Sequence, residues 1–285
     1  VKLQNGKVEP FLTEDPNRGA PISFEGTGTG FIVSNDGFIL SNKHVVAGWK
    51  TRYTFPEEAK VGLLVDIRGV PVRQANGSFT LIEAPKTWIP TEDSSTAGSL
   101  QGGIEGRHDY LNVVFQNSTT RIPAHLGPVS EAHDAAMIKI DLPQSVPSVN
   151  LFDNYDSIQQ GTPVTVLGYP SISPSRIGTV INKGLANDSN KLVPIPGVTL
   201  SVGNVGRVFR YGDKPQNKSE SEISSYSYVG DSYQLTVNST GPGNSGGPVF
   251  DDRGRVIAIF YASSEVITFA VPIRYGKELM GAPGK

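Results

Sequence analysis

The segment Gly243–Pro248 reads Gly-Asn-Ser-Gly-Gly-Pro and lies between two short strand-like runs, Tyr233–Val237 and Val249–Phe250. Glycines on both sides of Ser245 allow a tight turn whose backbone N–H groups can point at a developing negative charge. A serine hydroxyl is a poor nucleophile until a base and such an anion-binding site surround it. Ser245 is therefore a candidate nucleophile, provided that the chain supplies the base and an orienting carboxylate elsewhere.

The composition and the spacing of apolar runs predict an all-β fold. The 285 residues include 32 glycines and 21 prolines without a repeat period, an excess that indicates many turns. Two apolar runs, Gly28–Val33 and Phe38–Leu40, bracket an Asn-Asp-Gly turn, which predicts a hairpin. Only Ile273–Met280 has a helical pattern. The other predicted strands are Tyr110–Phe115, Ala135–Ile140, Pro163–Gly168, Gly178–Ile181, Val198–Val205, Val256–Tyr261 and Val266–Val271.

Charge, hydropathy and cysteine usage exclude several classes of protein. The net charge is −2 with no long block of like charge, which argues against a nucleic-acid partner. No run reaches the roughly 18 apolar residues of a membrane span. The absence of cysteine excludes disulfides, a thiol nucleophile and cysteine-based metal sites. No cofactor and no metal ion are expected. Because the chain opens at Val1 without methionine, we expect that a leader has been removed.

Histidine is the usual base for a serine nucleophile, because its pKa lies near working pH. The chain has four histidines. His44 follows a predicted strand and lies among small apolar residues that can hold a ring rigidly. His108 lies in a polar insertion, whereas His125 and His133 lie in loop-like sequence between strands. These contexts favour His44 as the base.

The orienting carboxylate is assigned by the same reasoning. Asp134 opens the run Ala135–Ile140, where partial burial would let it hold an imidazole tautomer, while Asp109 and Asp141 are in more solvated contexts. The resulting order His44, Asp134, Ser245 matches that of the chymotrypsin class. An α/β-hydrolase esterase would place its histidine last and a helix after the serine. The observed order argues against an esterase.

Several segments resemble the trypsin-like serine proteases, and most of all the bacterial HtrA-type (high-temperature-requirement) branch. They are Gly28–Gly48, Asp134–Asp141, Gly243–Phe250 and Phe269–Ile273, with a mild departure in the aspartate phrase Asp-Ala-Ala-Met. The resemblance implies two antiparallel six-stranded β-barrels with the active site in the cleft between them. The whole chain, 1–285, would be one protease unit: an N-terminal barrel within 1–150, a C-terminal barrel within 151–285, and a short C-terminal helix. We expect no PDZ domain in this chain.

The resemblance also assigns roles. His44 and Asp134 would come from the first barrel and Ser245 from the second, with the N–H groups of Gly243 and Ser245 forming the oxyanion hole. Asn244 stands where digestive relatives carry an aspartate that receives a freed N-terminal ammonium. Activation through such an ion pair is therefore not expected. Trimers are common in the branch, and a homo-oligomer is kept as an expectation.

The spacing between His44 and Asp134 is longer than HtrA-type domains need, and the surplus is an insertion at 51–109. Within it, Val61–Val65 and Phe79–Ile82 are expected to pair as strands. From Pro90 to Gly106 the sequence is rich in Thr, Ser, Gly and Gln, which predicts a surface loop.

The resemblance places Ser239 at the floor of the pocket that reads the residue before the scissile bond. Acid-specific relatives have a histidine where this chain has Phe260. Backbone contacts to an extended peptide would come from Tyr261, Ala262 and Ser263. We therefore predict an exported (periplasmic or extracellular) serine endopeptidase that cleaves unfolded or extended protein substrates after an uncharged residue. Two alternatives stay open: a catalytically silent protease-like binding module and an acid-specific endopeptidase.

Overall fold

A computed structural model describes residues 25–50, 61–83, 107–171, 176–180, 191–210, 230–238, 241–263 and 268–281. The chain divides into two compact units, one formed by Val1–Gly26 and Arg52–Ser95, the other by Thr27–Thr51 and Thr96–Lys285. That the chain forms a single protease unit with an insertion at 51–109 stays a prediction.

Sixteen strands and two α-helices are present in the described residues. They are β1 (Phe31–Ile32), β2 (Phe38–Ser41), α1 (Lys43–Val46), β3 (Val61–Leu63), β4 (Leu81–Glu83), β5 (Asn112–Val113), β6 (Ile122–Val129), β7 (Ala136–Ile140), β8 (Asn150–Leu151), β9 (Pro163–Gly168), β10 (Arg176–Val180), β11 (Lys191–Ile195), β12 (Thr199–Phe209), β13 (Ser232–Leu235), β14 (Pro248–Phe250), β15 (Arg255–Ser263), β16 (Thr268–Pro272) and α2 (Ile273–Met280).

The first sheet of the larger unit is antiparallel, in the order β1-β2-β7-β6-β5. The predicted hairpin of β1 and β2 is confirmed, with Phe31 opposite Leu40. Alternation of side chains gives the sheet two apolar faces. Ile39, Ile138 and Ile140 belong to a core cluster of this sheet, whereas Leu40 belongs to a cluster shared with the second sheet.

The structure corrects one assignment in this sheet. His125 was expected in a loop, but it lies in β6 opposite Lys139 of β7. The strand has a weak sequence signal because it contains Pro123 and the Gly127-Pro128 pair, and proline and glycine normally interrupt strands. The pairing of β6 with β7 shifts register between Leu126 and Val129, so the Gly-Pro pair is taken up in an irregularity of the ladder.

The second sheet closes on itself. Its order is β14-β9-β12-β13-β16-β15, and β14 also pairs with β15, which completes a six-stranded antiparallel barrel. The short strand β8 adds to β15 in parallel. The barrel interior is apolar, with Val166, Val205 and Ile257 almost fully buried. The all-β, trypsin-like prediction is confirmed: this barrel is closed, and the described part of the first sheet is a half-barrel of five strands.

Two hairpins lie outside these sheets. In the larger unit, β10 pairs with β11; β11 was not predicted, because Pro194 interrupts its apolar run. In the smaller unit, β3 pairs with β4, so the predicted pairing within the insertion is confirmed. The expected surface loop from Pro90 to Gly106 lies outside the described residues.

The C-terminal helix α2 occupies the predicted range and buries Ile273, Tyr275 and Leu279. A second helix was not predicted: α1 forms a single turn at Lys43–Val46. The expectation that only the end of the chain is helical was therefore wrong. No helix in the described part of the chain is long and apolar enough to cross a membrane.

The hairpin that closes the barrel yields a stability prediction. Asp251, between β14 and β15, accepts the backbone N–H groups of Arg253 and Arg255 and a guanidinium bond from Arg255 at 2.8 Å. Burial raises the pKa of Asp251, but the donors of Arg255 and Arg253 outweigh it, and the net pKa lies below the ordinary 3.8. Asp251→Asn should lower the free energy of unfolding at neutral pH by about 2 kcal/mol.

A carboxyl group whose pKa is lower in the folded chain than in the unfolded chain stabilises the fold at pH values above its ordinary pKa. This contribution is lost as the pH falls through the pKa of the folded state. The difference between wild type and Asp251→Asn should thus shrink in acid. Urea unfolding at several pH values measures it, with the neighbouring exposed Asp252→Asn as the matched control. Equal effects of the two variants at neutral pH would contradict the prediction.

Candidate active site

The helix α1 follows β2 directly and carries His44. The backbone N–H groups of Val45 and Val46 donate to the carbonyl of Asn42, which closes the single turn. The end of β2 is fixed by the Ser41 hydroxyl, which donates to the carbonyl of Thr29 at 2.7 Å. Ser41 also pairs with Ala136 of β7, so α1 starts from a fixed strand end and His44 is held near the sheet.

Asp134 is fully buried and bonded to His44 through both carboxylate oxygens. The His44 backbone N–H donates to Oδ1 at 2.9 Å, and ring Nδ1 lies 2.7 Å from Oδ2. An ionised carboxylate can only accept, so Nδ1 carries the proton and Nε2 is the ring's proton acceptor. This geometry suits a base whose tautomer and orientation are fixed.

The loop before β7 is held by the two residues that precede His44. The Asn42 amide donates to the carbonyl of Asp134 at 2.8 Å. The Lys43 ammonium donates to the carbonyls of Ser130 and Glu131 at 3.0 and 3.2 Å. Burial lowers the pKa of Lys43, against an opposing attraction from Asp134. Neither residue was selected from sequence, since only the long-range contact gives them a role.

The serine turn has an unusual backbone. Gly243 and Gly246 adopt φ values of 96° and 89°, in the region that favours glycine. A Cβ on Gly243 would also clash with the carbonyl of Tyr169, and one on Gly246 with that of Thr29. Both glycines flanking Ser245 are thus required by conformation and by space.

The N–H groups of this turn divide into two sets. Those of Asn244, Gly246 and Gly247 donate to backbone carbonyls at 2.8–3.1 Å. Within the described residues, the N–H groups of Gly243 and Ser245 have no acceptor. The oxyanion hole of Gly243 and Ser245 stays a prediction, with which these hydrogen bonds are compatible.

Thr29 connects the first sheet to the serine turn, a role that sequence reasoning missed. Its hydroxyl donates to the carbonyl of Gly243 at 2.6 Å and accepts the N–H of Tyr169 at 3.1 Å. Its own N–H donates to the carbonyl of Ser245 at 2.8 Å. The isolated polar side chain of Thr29 between Gly28 and Gly30 was the available signal.

Gly28 lies between α1 and the serine turn. A Cβ here would clash with the side chain of Val45 and lie 3.0 Å from the carbonyl oxygen of Ser245. The missing side chain lets the residue next to His44 and the backbone of Ser245 approach the same point. Val45, the residue after His44, and the backbone of Ser245 thus both lie against Gly28. The Ser245 hydroxyl donates to the carbonyl of Tyr261 at 3.3 Å.

The predicted substrate-binding residues have different outcomes. Tyr261, Ala262 and Ser263 form the end of β15, and Ala262 and Ser263 pair with Phe269 and Thr268 of β16. Ser239 lies outside the described residues. Phe260, at the position where acid-specific relatives have histidine, is 1% exposed within the barrel core.

The remaining histidines contact other groups. His108 packs edge-on against Trp49 with ring centroids 4.8 Å apart. His133 stacks on Tyr275 at 3.5 Å. Of the rival carboxylates, Asp109 is exposed and the side chain of Asp141 is 82% exposed. No cluster of three or more His, Asp or Glu that could hold a metal ion occurs among the residues that the structure describes.

Solved structures of HtrA-type proteases are among those similar to this chain. The HtrA-type protease AlgW with a decapeptide is 20% identical over 89% of this chain and 50% of its own, with a TM-score of 0.46. Deg5 is 19% identical over 89% of this chain and 81% of its own, also with a TM-score of 0.46. The chain thus spans about half the length of the AlgW chain.

A search of curated protein sequences found no match. The model of the trypsin-like peptidase domain, in contrast, matches residues 28–259. This range covers the whole first sheet, the second sheet as far as Ile259 in β15, and the segments that carry His44, Asp134 and Ser245. The chain belongs to the trypsin-like peptidase family.

Proposed function

We propose that this chain is a serine endopeptidase with His44 as general base, Asp134 as its orienting carboxylate and Ser245 as nucleophile. The observation that carries the proposal is the doubly bonded, fully buried pair of Asp134 and His44. A buried carboxylate that accepts from the ring fixes the imidazole and stabilises the imidazolium that forms during proton transfer. Membership of the trypsin-like peptidase family supports the same reaction class.

The reaction would follow from the geometry of the turn. As Ser245 Oγ attacks the substrate carbonyl, Nε2 of His44 takes the hydroxyl proton and later gives it to the leaving amine. For this transfer the Ser245 hydroxyl would have to exchange its long 3.3 Å bond to the carbonyl of Tyr261 for a bond to the imidazole. The N–H groups of Gly243 and Ser245 would bind the oxyanion, and water would then hydrolyse the acyl-enzyme.

We propose an unfolded or extended protein substrate. The proposal that the backbone of Tyr261, Ala262 and Ser263 aligns a strand-like peptide is supported by the carbonyl of Tyr261, which accepts a hydrogen bond from the Ser245 hydroxyl. An uncharged residue before that bond is supported by the serine at position 239 and by the apolar, buried Phe260. Export and self-association stay predictions from the resemblance.

The first test is covalent labelling with a fluorophosphonate probe, which reacts with an activated serine and needs no known substrate. Wild type should be labelled under native conditions, and Ser245→Ala should lose both labelling and casein hydrolysis. Ser148→Ala, which removes an exposed hydroxyl bonded to Asn35, serves as the matched control and should label normally. If the wild-type protein is not labelled, the result contradicts the proposal and favours a catalytically silent binding module.

The second test removes the charge of Asp134 but keeps its shape. Asp134→Asn should reduce the rate constant for labelling by about 10⁴-fold, because the amide no longer holds the required tautomer of His44. Asp141→Asn, at the solvated rival position, should leave that rate unchanged. A large loss in Asp141→Asn together with normal labelling of Asp134→Asn would reverse the assignment.

A further inference from the structure

Lys43 is an unusual residue for its position. It is only 7% exposed, and lysine is almost never buried without a partner that compensates its charge. It lies in the single turn of α1, between Asn42 and the proposed base His44. An apolar side chain of similar length would fill the same space without the cost of desolvating an ammonium group.

The contacts of the ammonium converge on the loop that carries Asp134. Lys43 Nζ donates to the carbonyls of Ser130 and Glu131 at 3.0 and 3.2 Å. The loop is also closed internally, since the N–H of His133 donates to the Ser130 hydroxyl at 3.1 Å. Ser130 and Glu131 are not buried, so water could satisfy both carbonyls. The ammonium is therefore not needed merely to satisfy them.

The charges around Lys43 give it a second effect. Asp134 and Glu131 attract the ammonium, whereas Lys50 repels it. His133, in the loop, and His44, on the same turn, are the other titratable groups of the surrounding segments. Burial opposes the charged form and lowers the pKa of Lys43. A cation in this poorly solvated place favours the ionised carboxylate of Asp134 and opposes a second positive charge on the neighbouring imidazole.

We propose that Lys43 is a positioning residue for the base: its buried ammonium locks the loop of Asp134 onto α1 and so holds His44 in the orientation of a proton acceptor. This inference rests on the proposed function. It assigns to Lys43 no contact with substrate. Its effect passes through the Asp134–His44 pair, first by fixing the carboxylate and second by the sign of its charge.

The test compares Lys43→Met, which keeps the length but removes charge and donors, with Lys43→Arg, which keeps both. At neutral pH, Lys43→Met should be labelled by the fluorophosphonate about tenfold more slowly, because the base is less well aligned. When the labelling rate is plotted against pH, the acidic limb of Lys43→Met should lie at higher pH than that of wild type, because no neighbouring cation opposes the positive charge on the imidazole. Lys43→Arg should recover most of the rate and the wild-type limb.

Two controls separate positioning from folding. Lys139 also donates to backbone carbonyls, those of Asp36 and Ile140, so Lys139→Met removes the same kind of contact away from Asp134 and should label normally. The midpoint temperature of thermal unfolding of Lys43→Met should not be lower than that of wild type, because the variant does not bury an ammonium group. If the acidic limb of the labelling profile lies at the same pH in Lys43→Met and wild type, the proposal is wrong, whatever the labelling rate. It is also wrong if Lys43→Met and Lys43→Arg lose the same amount of labelling rate.

A measurement that needs no activity separates this proposal from the proposed function. The low-field proton NMR signal of the His44 Nδ1–H bonded to Asp134 responds to protonation of the ring. If wild type is not labelled, the proposed function fails, and a response shifted to higher pH in Lys43→Met still supports Lys43 as a positioning residue. If labelling proceeds normally and the NMR response is unshifted in the variant, the Lys43 proposal fails alone.

Discussion

The site depends on one buried negative charge. The carboxylate of Asp134 has no exposure to solvent, and a buried charge is tolerated only when hydrogen-bond donors surround it. Both donors come from His44, 90 residues away along the chain. The turn of α1 must therefore form so that the backbone N–H and ring Nδ1 of a single residue reach the same carboxylate. The same two hydrogen bonds therefore satisfy the buried carboxylate and orient the ring of His44, the proposed base.

The position of the nucleophile follows from a second set of buried polar groups. Thr29 receives the hydroxyl of Ser41 on its carbonyl, and it donates to the serine turn through its N–H and its own hydroxyl. Buried polar groups without partners are costly, so each of these bonds favours one register between the strand that precedes α1 and the turn of Ser245. A single residue thus couples the half-barrel that precedes His44, the proposed base, to the turn of Ser245, the proposed nucleophile.

Elements with a clear local signal could be predicted from the sequence, whereas those fixed by distant contacts could not. The β1–β2 hairpin follows from its turn residues, and α2 from its apolar period. The four-residue helix α1 is too short to show a helical period. Pro123 suppresses the local signal of β6, although pairing with β5 and β7 holds that strand in place.

The same distinction applies within the site. His44, Asp134 and Ser245 could be selected because their residue types limit the chemistry and their order limits the fold. Lys43 could not, because a lysine beside a strand end carries no local sign of burial, and the only signal for Thr29 was its place between two glycines. Their roles arise from hydrogen bonds to Ser130 and Gly243, far along the chain.

The serine turn shows why a neutral Asn244 is sufficient before the nucleophile. Asn244 is 2% exposed, and an aspartate there would bury a charge that requires a cation beside it. With an amide instead, the turn needs no cation: the N–H groups of Asn244, Gly246 and Gly247 donate to carbonyls of the chain, and the Thr29 hydroxyl donates to the carbonyl of Gly243. The N–H groups of Gly243 and Ser245 are then oriented before any ligand binds. Donors fixed in advance need no reorganisation when negative charge develops, which is the property that the proposed oxyanion hole requires.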